Sequence, residues 1–430
     1  MPKYLALCAL ATIASAASAQ GRPSGGAADT LHLARHQAIA TALAANPQLE
    51  IAREQAAQVR AQRVENNGLT DPVLAASYNN MTSSPFNTGS ADSRTVGLGL
   101  TVPFPDKFRL RNTIGVSNIR AADENVRLTQ QVIASQAARS YDSLLVTRLH
   151  QRNLIETRDL AADFLKKTQS QFAAGTVPRL DVIRAQVGVA QAENDLIGAS
   201  RDVANATAAM NRVLGRSLGL PIDPLDSLTA PVRLPTLEDV ERQAMQNRPE
   251  IRQLEHQVHA ARANRTLTKE QALLPDVTVG ASKDFVAGTG TLYTLGLAMP
   301  LPVFFWQHTE GDFAETMHRE LELMATLRDA RAAVGQDVRL SFTAADAALR
   351  QATFIRQELL PATREAYRVA SVSYGLGSIS ALDVINARRD LIDALSKYAD
   401  ALAAASSALA DLERAAGAPL TFSDAGAPRE

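Results

Sequence analysis

Four short stretches of the chain alternate apolar residues with small or polar ones. In "RTVGLGLTVP", the side chains of Val96 and Leu98 alternate with Gly97 and Gly99. "DVTVGAS" and "LYTLGLAMP" repeat this period of two, and the stretch at 72–81 follows it less regularly. The period predicts β-strands with one apolar face. At about 8–11 residues each, such strands are long enough to cross a membrane, although a soluble sheet packed on one face has the same alternation.

Two much longer stretches have the periodicity of a helix. They run from about 108 to 173 and from about 309 to 374, and each follows a strand that ends in paired prolines. About 65 residues at about 1.5 Å per residue reach roughly 100 Å, more than a compact domain needs. Helices of this length require partner helices. The apolar seam of the two return helices consists of Leu180, Ile183, Val187, Ala190, Leu382, Ile385, Ile392 and Leu395.

Both long helices pause at a glycine before the return helix begins. "QFAAGTVPRLDVIRAQ" contains Gly175 and Pro178, and "SYGLGSISALDVINAR" contains Gly377. We expect both glycines to end the descending helices in the left-handed conformation, and Pro178 to lie in the first turn of the next helix. The two stretches are therefore predicted to be the tips of antiparallel helical hairpins, far from the strands.

The two halves of the chain repeat one plan. Asp181 and Asp383 are 202 residues apart (383 − 181), and so are Pro47 and Pro249 (249 − 47). The strand-end sequences "LTVPFPDKF" and "LAMPLPVFF" also correspond. Three matches in the same order indicate an internal duplication of a strand–strand–long-helix–tip–helix unit, which is far longer than a solenoid repeat.

The duplication divides the chain into segments. A helix precedes the strands of each repeat. The first helix runs from about Pro47 to Asn67 and the second from about Thr236 to Gln271. Thr236 and Asp239 fit a capping box at the start of the second helix. The predicted segments are a signal peptide at 1–19, a first repeat at 20–215, a linker at 216–235, a second repeat at 236–415 and a C-terminal tail at 416–430. In the first repeat the strands lie at about 72–81 and 94–103, the long helix at about 108–173 and the tip at 174–180. In the second repeat the strands lie at about 276–285 and 291–300, the long helix at about 309–374 and the tip at 375–381.

The first residues predict export from the cytoplasm. Lys3 is followed by an apolar run and then by Ala17-Ser18-Ala19, the small-residue pattern of a signal-peptide cleavage site. The only cysteine, Cys8, lies inside this signal, too early for a lipid-attachment site. We therefore expect a mature protein with neither a disulfide nor a lipid anchor, in the periplasm or the outer membrane.

Composition argues against several function classes. The formal net charge of −1 gives no electrostatic case for binding nucleic acid. The chain is 46% hydrophobic but only 5% aromatic, which favours long helices packed at close range. We find no nucleophile elbow, phosphate-binding loop or zinc motif, and the pair His256 and His259 has no third ligand nearby in sequence. We therefore expect no enzyme, no cofactor and no metal site.

The number of strands sets a requirement for assembly. Four strands per chain are too few for a closed membrane barrel, because the smallest needs about eight. An open edge in lipid leaves unpaired backbone groups that cost several kcal/mol each. Membrane strands would therefore have to join those of sister chains, and three chains would supply twelve.

Together these features resemble the TolC-type outer membrane efflux factors over nearly the whole mature chain. The resemblance rests on the duplicated plan, the "G-x-x-x-x-L-D-V" tips, the "NP" and "RPE" helix starts and the prolines at the strand ends. "VPFPDK" and "PLPVFFWQHTEGDFAE" are most similar to the branch that serves heavy-metal cation pumps. The implied fold class is mainly α with a transmembrane β-barrel part. Its duplicated units would build a trimeric, twelve-stranded outer membrane barrel and a long periplasmic α-helical barrel.

The resemblance also implies a location and partners. The homotrimer would lie in outer membrane lipid of a Gram-negative bacterium, with a large periplasmic portion. It would be the passive duct of a tripartite efflux system, exporting small substrates, with heavy-metal cations as one candidate. A periplasmic adaptor protein would link it to an inner-membrane pump of the RND type. The alternatives are a duct for type I protein secretion and, from another class, a soluble periplasmic coiled-coil scaffold.

The resemblance places a periplasmic gate at the beginning of the return helices. The gate residues would be Asp181, Arg184, Asp383 and Asn386, where Arg184 and Asn386 depart from the family's second acidic position. An Arg184–Asp contact across the tips could lock a closed state. Asp181 and Asp383 have an equally good explanation as carboxylates that stabilise helix N-termini, and Ser380 with Asp383 fits a capping box.

The tips themselves are the expected adaptor contacts. Turn geometry alone would also explain the two glycines. The predicted docking residues are Gly175, Thr176, Val177, Gly377, Ser378 and Ile379.

Overall fold

The computed structural model describes residues 30–79, 93–226, 234–288, 290–301 and 305–420, without the side chains of 305–308. The predicted signal peptide with Cys8, the connection between the first two predicted strands, and parts of the linker and C-terminal tail lie outside the described residues. The helices are α1 (Arg35–Ala45), α2 (Pro47–Asn66), α3 (Pro105–Ala173), α4 (Arg179–Val213), α5 (Leu237–Asn247), α6 (Pro249–Leu273), α7 (Phe305–Phe354), α8 (Leu360–Gly375) and α9 (Ala381–Ala416). The strands are β1 (Leu31–Leu33), β2 (Val73–Asn79), β3 (Ser93–Val102), β4 (Ile222–Pro224), β5 (Val277–Val286) and β6 (Gly290–Ala298).

The four longer strands form one antiparallel sheet in the order β2-β3-β5-β6. The pairing of β3 with β5 joins the two repeats, with Gly99 opposite Gly280. Among the described residues, β2 pairs only with β3 and β6 only with β5, so both edges of the sheet are open. Both outer strands are exposed at every position. None of the helices within the described ranges has a stretch both long and apolar enough to cross a membrane.

The strand-to-helix corner lies at the predicted proline pair. Helix α3 begins at Pro105, three residues before the predicted start, because proline needs no N–H at the first helical position. Lys107, only 2% exposed, places its Nζ 2.6 Å from Oδ1 of Asp276 at the entry to β5. This partly buried ion pair ties the first long helix to the second repeat.

The prediction of a single helix from about Thr236 to Gln271 is wrong, because the structure has two helices there. Helix α5 ends at Asn247, Arg248 is extended, and α6 begins at Pro249. A residue before proline is pushed out of the helical region, which breaks the helix. The first repeat has the same break at Pro47, after an α1 that the sequence analysis did not find. Thr236 does cap α5, accepting a hydrogen bond from the Asp239 N–H.

The second long helix is not continuous. A single π-helical turn, Ile355–Leu359, separates α7 from α8. Pro361 follows it, and proline cannot donate the backbone hydrogen bond that the carbonyl of Gln357 would receive in an α-helix. The first long helix lacks a proline at this level and runs unbroken for 69 residues.

The predicted seam of α4 does not pack within the chain. Leu180, Ile183 and Val187 are 46–52% exposed. From Ala185 to Ala206 the buried residues of α4 are all alanine or glycine, among them Gly188, and such small residues let neighbouring backbones approach closely. The prediction failed because it took the larger apolar residues for the contact face. The seam predicted for α9 is buried only in part. Leu395 is buried, Ile385 and Ile392 are half-buried, and Leu382 is 49% exposed.

A belt of mixed structure lies where the short helices pack on the long ones. β1 pairs in parallel with β4, and Arg148 donates from Nη1 to Oδ1 of Asp223 at 2.6 Å. Two apolar clusters form here, one in each repeat. The first includes Leu49, Ile133, Tyr141, Leu144, Met210 and Ile222, and the second Val240, Ile251, Val334, Val338 and Leu412.

Three carboxylates surround Arg35 in this belt. Its Nε lies 3.3 Å from Oδ1 of Asp142, its Nη2 lies 3.8 Å from Glu413, and its backbone N–H donates to Asp226 at 2.6 Å. Burial raises the pKa of both Asp142 and Glu413 above the ordinary values, although Arg35 opposes this. Protonation of these two carboxyls is therefore favoured by folding.

We expect Asp142→Asn to weaken the dependence of stability on pH between mildly acidic and neutral pH. A carboxyl whose pKa is raised on folding adds stability that is fully present below its ordinary pKa of about 4 and lost as pH rises through the raised value. The midpoint of thermal unfolding should thus fall less between mildly acidic and neutral pH in the variant than in the wild type.

Asp223→Asn is the matched control for the acid profile. The hydrogen bond from Arg148 lowers the pKa of Asp223. Its stabilising contribution is therefore present above the ordinary pKa and lost as pH falls. This variant should lose stability at neutral pH. Equal pH slopes for Asp142→Asn and the wild type would contradict the interpretation of the belt.

Candidate functional site at the helical tips

Both hairpin tips are built by the same backbone motif. Gly175 has φ of 71° and Gly377 has φ of 72°, which confirms the predicted left-handed caps. In the first tip the N–H of Gly175 bonds the carbonyl of Phe172, and the N–H of Thr176 bonds that of Gln171, as in a Schellman motif. The second tip repeats both bonds. Pro178 is the residue just before α4, not in its first turn as predicted.

The structure brings the two tips into contact. The rings of Phe164 and Tyr374 lie 5.3 Å apart between centroids, and Nε2 of Gln171 donates to the carbonyl of Tyr374 at 3.1 Å. The Tyr374 hydroxyl lies 3.4 Å from Oγ1 of Thr168, which is fully buried. Ala185, Ala381 and Val384 complete this apolar cluster, so the two return helices begin from one packed unit.

The predicted docking residues surround the end of this unit. Gly175, Thr176, Gly377 and Ser378 are exposed. Val177 and Ile379 are half-buried and pack against the cluster. A groove of about 460 Å³ runs between the tips. Four of the six docking residues line it, namely Thr176, Val177, Gly377 and Ile379, together with the exposed Leu376. The end of the unit therefore offers a mixed apolar and polar surface.

The two aspartates that were proposed to form the gate have different environments. Oδ2 of Asp383 accepts from the Ser380 N–H at 3.0 Å and from its hydroxyl at 2.8 Å, so the predicted capping box is formed. Asp181 makes no such bond; Arg184 lies 3.6 Å away on the same helix. Asn386 is exposed on α9. The Asp383 carboxylate is thus committed to its own helix start, whereas the Asp181 carboxylate is not.

A buried arginine near the tips was not found from the sequence. Arg388 in α9 is 8% exposed, and its guanidinium lies where a side chain on Gly188 would have to be. A Cβ at position 188 would come within 2.6 Å of Nη2. Burial lowers the pKa of Arg388, and its Nη1 has no hydrogen-bond partner among the described residues. Gly188 inside a helix was the available signal, since such a glycine indicates close approach of another group.

Potential metal ligands are dispersed. In the described part of the chain, no three His, Cys, Asp or Glu side chains come together as a metal site would require. His256 is half-buried and His259 exposed on α6, and burial, with Arg120 nearby, lowers the pKa of His256. His32 bonds Asp223 at 3.1 Å across the β1–β4 pair.

Comparison with known proteins identifies the family. The sequence matches the family described as "Outer membrane efflux protein" over residues 38–216 and 240–418, one match for each repeat. The chain belongs to this family. The family's members are efflux proteins of the outer membrane, and the predicted function of an outer membrane channel in a tripartite efflux system is confirmed.

Individual relatives agree with this assignment. The chain is 24% identical over 318 residues to the cobalt-zinc-cadmium resistance protein CzcC of Cupriavidus metallidurans, covering 70% of this chain and 73% of that protein. It is 27% identical over 340 residues to the outer membrane efflux protein BepC of Brucella suis, covering 75% and 71%.

Solved structures confirm the predicted fold class. CusC superimposes with a TM-score of 0.75 at 17% identity, over 89% of this chain and 92% of that one. The outer membrane protein VceC of Vibrio cholerae gives 0.73 at 18% identity, over 89% and 96%. The sheet and long helices of this efflux protein therefore correspond to the barrel part and the helical part of an outer membrane channel.

Proposed function

We propose that three copies of the chain form one duct from the periplasm to the exterior. The observation that carries this proposal is the pair of open sheet edges: among the described residues, β2 and β6 each pair with one neighbouring strand only. Unpaired edges are not tolerated in lipid, so each β2 requires the β6 of a neighbour. The exposed apolar stripe of α4 would be covered in the same assembly.

The proposed cargo is a heavy-metal cation. Support comes from the similarity to a protein named for cobalt, zinc and cadmium resistance and from the sequence around the strand-end prolines. Another relative, at 25% identity, is named for pyoverdine export, so the family likeness alone does not select the cargo. In such a system the adaptor and the pump make the choice, and the duct needs no metal site of its own.

Deletion of the chain tests this proposal. We expect the deletion strain to become sensitive to cobalt, zinc or cadmium, and the wild-type chain to restore tolerance. Unchanged tolerance to all three metals would remove the metal assignment. Loss of a secreted polypeptide from the medium would support type I protein secretion instead.

We further propose that the tip groove receives the periplasmic adaptor. Val177 and Ile379 present apolar side chains at matched positions of the two tips. Replacing both by aspartate should abolish efflux while leaving the protein trimeric in the outer membrane, because each charge faces the docking surface. Leu218→Asp, at a 57% exposed position in the loop before β4, is the control and should retain efflux. Efflux by the double variant equal to that of the control would contradict docking at the tips.

The proposed gate depends on Asp181 more than on Asp383. Three copies of Asp181 near one axis would form a ring whose charge Arg184 offsets. We propose that Asp181 of one chain meets Arg184 of the next chain in the closed state. Asp181→Asn should then raise the single-channel conductance in planar bilayers, because this contact between chains weakens. Asp383→Asn should instead lower stability by about 0.3–1 kcal/mol, because it removes a negative charge from the helix N-terminus and weakens the capping box. A change in conductance for Asp383→Asn alone would reverse this assignment.

A further inference from the structure

The apolar face of the sheet changes its composition at the end farthest from the helices. Strand register places one set of side chains on this face over most of its height. They are Leu74, Ala76, Val96, Leu98, Leu100, Val102, Val277, Val279, Ala281, Leu295 and Leu297. Near the turns that join the strands, the same face has three aromatic residues and two cations, which are Tyr78, Phe285, Tyr293, Arg94 and Lys283.

Register brings the two cations together. Arg94 in β3 lies opposite Phe285 in β5. Lys283 lies two residues before Phe285 on the same strand, so it is the diagonal neighbour of Arg94. Across the other edge of β5, Lys283 lies opposite Tyr293 in β6. Diagonal neighbours of this kind have their side chains roughly 7–8 Å apart, within reach of one ligand. Asp284, the carboxylate next to Lys283 in β5, points to the opposite face, where it accepts from Oγ1 of Thr294 at 2.8 Å.

The aromatic rings hold the lysine in place. Nζ of Lys283 lies 5.0 Å from the ring centroid of Phe285 and 5.6 Å from that of Tyr293. Both distances are within the range of a cation–π contact. The contacts leave the N–H donors of the ammonium available, because a ring face attracts the cation without accepting all of its hydrogen bonds.

The position of these cations fits the headgroup level of a membrane. Lysine or arginine on the lipid face costs about 2–4 kcal/mol at the bilayer midplane but only about 0–1 near the interface. Aromatic residues mark that interface. The strand ends that carry Arg94 and Lys283 lie away from the long helices, hence on the outer side of the proposed duct. The outer leaflet there consists largely of a glycolipid with phosphorylated glucosamine units.

We propose that Arg94 and Lys283 bind the phosphate groups of this outer-leaflet glycolipid, and that Phe285 and Tyr293 pack against its sugar and upper acyl chains. The inference rests on the proposed trimeric duct, since the face must be exposed to lipid. The two positive charges complement a phosphate, and the adjoining apolar rows complement acyl chains. Retention of this lipid would fix the level of the barrel in the membrane.

The test measures the lipid retained by the full-length protein. The purified protein in mild detergent is mixed with lipopolysaccharide, washed, and assayed for bound glycolipid by mass spectrometry. Each cation near an anionic surface contributes about a fivefold change in affinity, so Arg94→Gln with Lys283→Gln should retain roughly one-twentieth or less of the wild-type amount at limiting lipid. Lys283→Arg should retain nearly all of it. Lys397→Gln, an exposed lysine on α9, is the control.

Two further binding measurements use the wild-type protein alone. The wild type should bind enzymatically dephosphorylated lipopolysaccharide at least about fivefold more weakly, and millimolar inorganic phosphate should not displace the intact lipid. Equal retention by the double variant, equal binding of dephosphorylated lipid, or full displacement by free phosphate would each overturn the inference. Conductance measured on the same preparation keeps the two proposals separate, because a conducting channel that retains no glycolipid contradicts only this inference.

Discussion

Leu295→Lys should prevent the protein from accumulating as a trimer in the outer membrane. Leu295 lies mid-way along β6, on the apolar face, and is 87% exposed. A lysine on the lipid face near the bilayer midplane costs about 2–4 kcal/mol, and a three-fold assembly incurs that cost three times. Membrane fractionation followed by electrophoresis without heating measures the loss directly.

The neighbouring residue supplies the control for this lysine. Thr294 points to the opposite face and bonds Asp284. Thr294→Lys therefore introduces the same charge one residue away, beside a carboxylate and facing the proposed lumen. It should assemble nearly as well as the wild type. If both variants assembled equally, or if Thr294→Lys were the more harmful one, the assignment of the two faces would be wrong.

Ile183→Asp combined with Val187→Asp should separate the periplasmic helices of the trimer. These residues are 46% and 50% exposed in the single chain and lie on one stripe of α4. Burying such a side chain contributes about 1.5–3 kcal/mol, and each chain would bury two in the assembly. The expected result is normal helix content with rapid proteolysis of the tips and loss of efflux.

Gln186→Asp is the matched control on the same helix. Gln186 is exposed but polar, so its replacement removes no apolar contact. It should leave protease resistance and efflux unchanged. Protease resistance retained by the double variant would show that the stripe is not covered by a neighbouring chain.

The sequence predicted the architecture because its signals are local and repeated. The period of two in the strands, Gly175 and Gly377 at the tips and the prolines at strand ends are each read from a few residues, and the structure has the strands, caps and corners where these signals lie. The first strand of the belt was not predicted, because β1 is three residues long and carries no periodicity of its own. This strand forms because β4, about 190 residues later, pairs with it.

The site was harder to predict, because it depends on which side chains meet across helices. The sequence predicted the capping box of Ser380 and Asp383, which the structure has, but it still gave Asp181 and Asp383 the same place in the gate. In the structure the Asp383 carboxylate is engaged by that serine, whereas Pro178 precedes Asp181 and offers no such bond. The buried face of α4 was also missed, because alanine and glycine give weak hydrophobic signals although they allow close packing. The contact between Arg388 and Gly188 was missed for both reasons, because it joins two helices and one of its residues is a glycine.

Native mass spectrometry of the protein extracted from membranes in mild detergent tests the central claim most directly. The open edges of β2 and β6 require sister chains, so the account predicts one species with three times the mass of the mature chain. A stable, water-soluble species with the mass of a single chain and a folded sheet would contradict it.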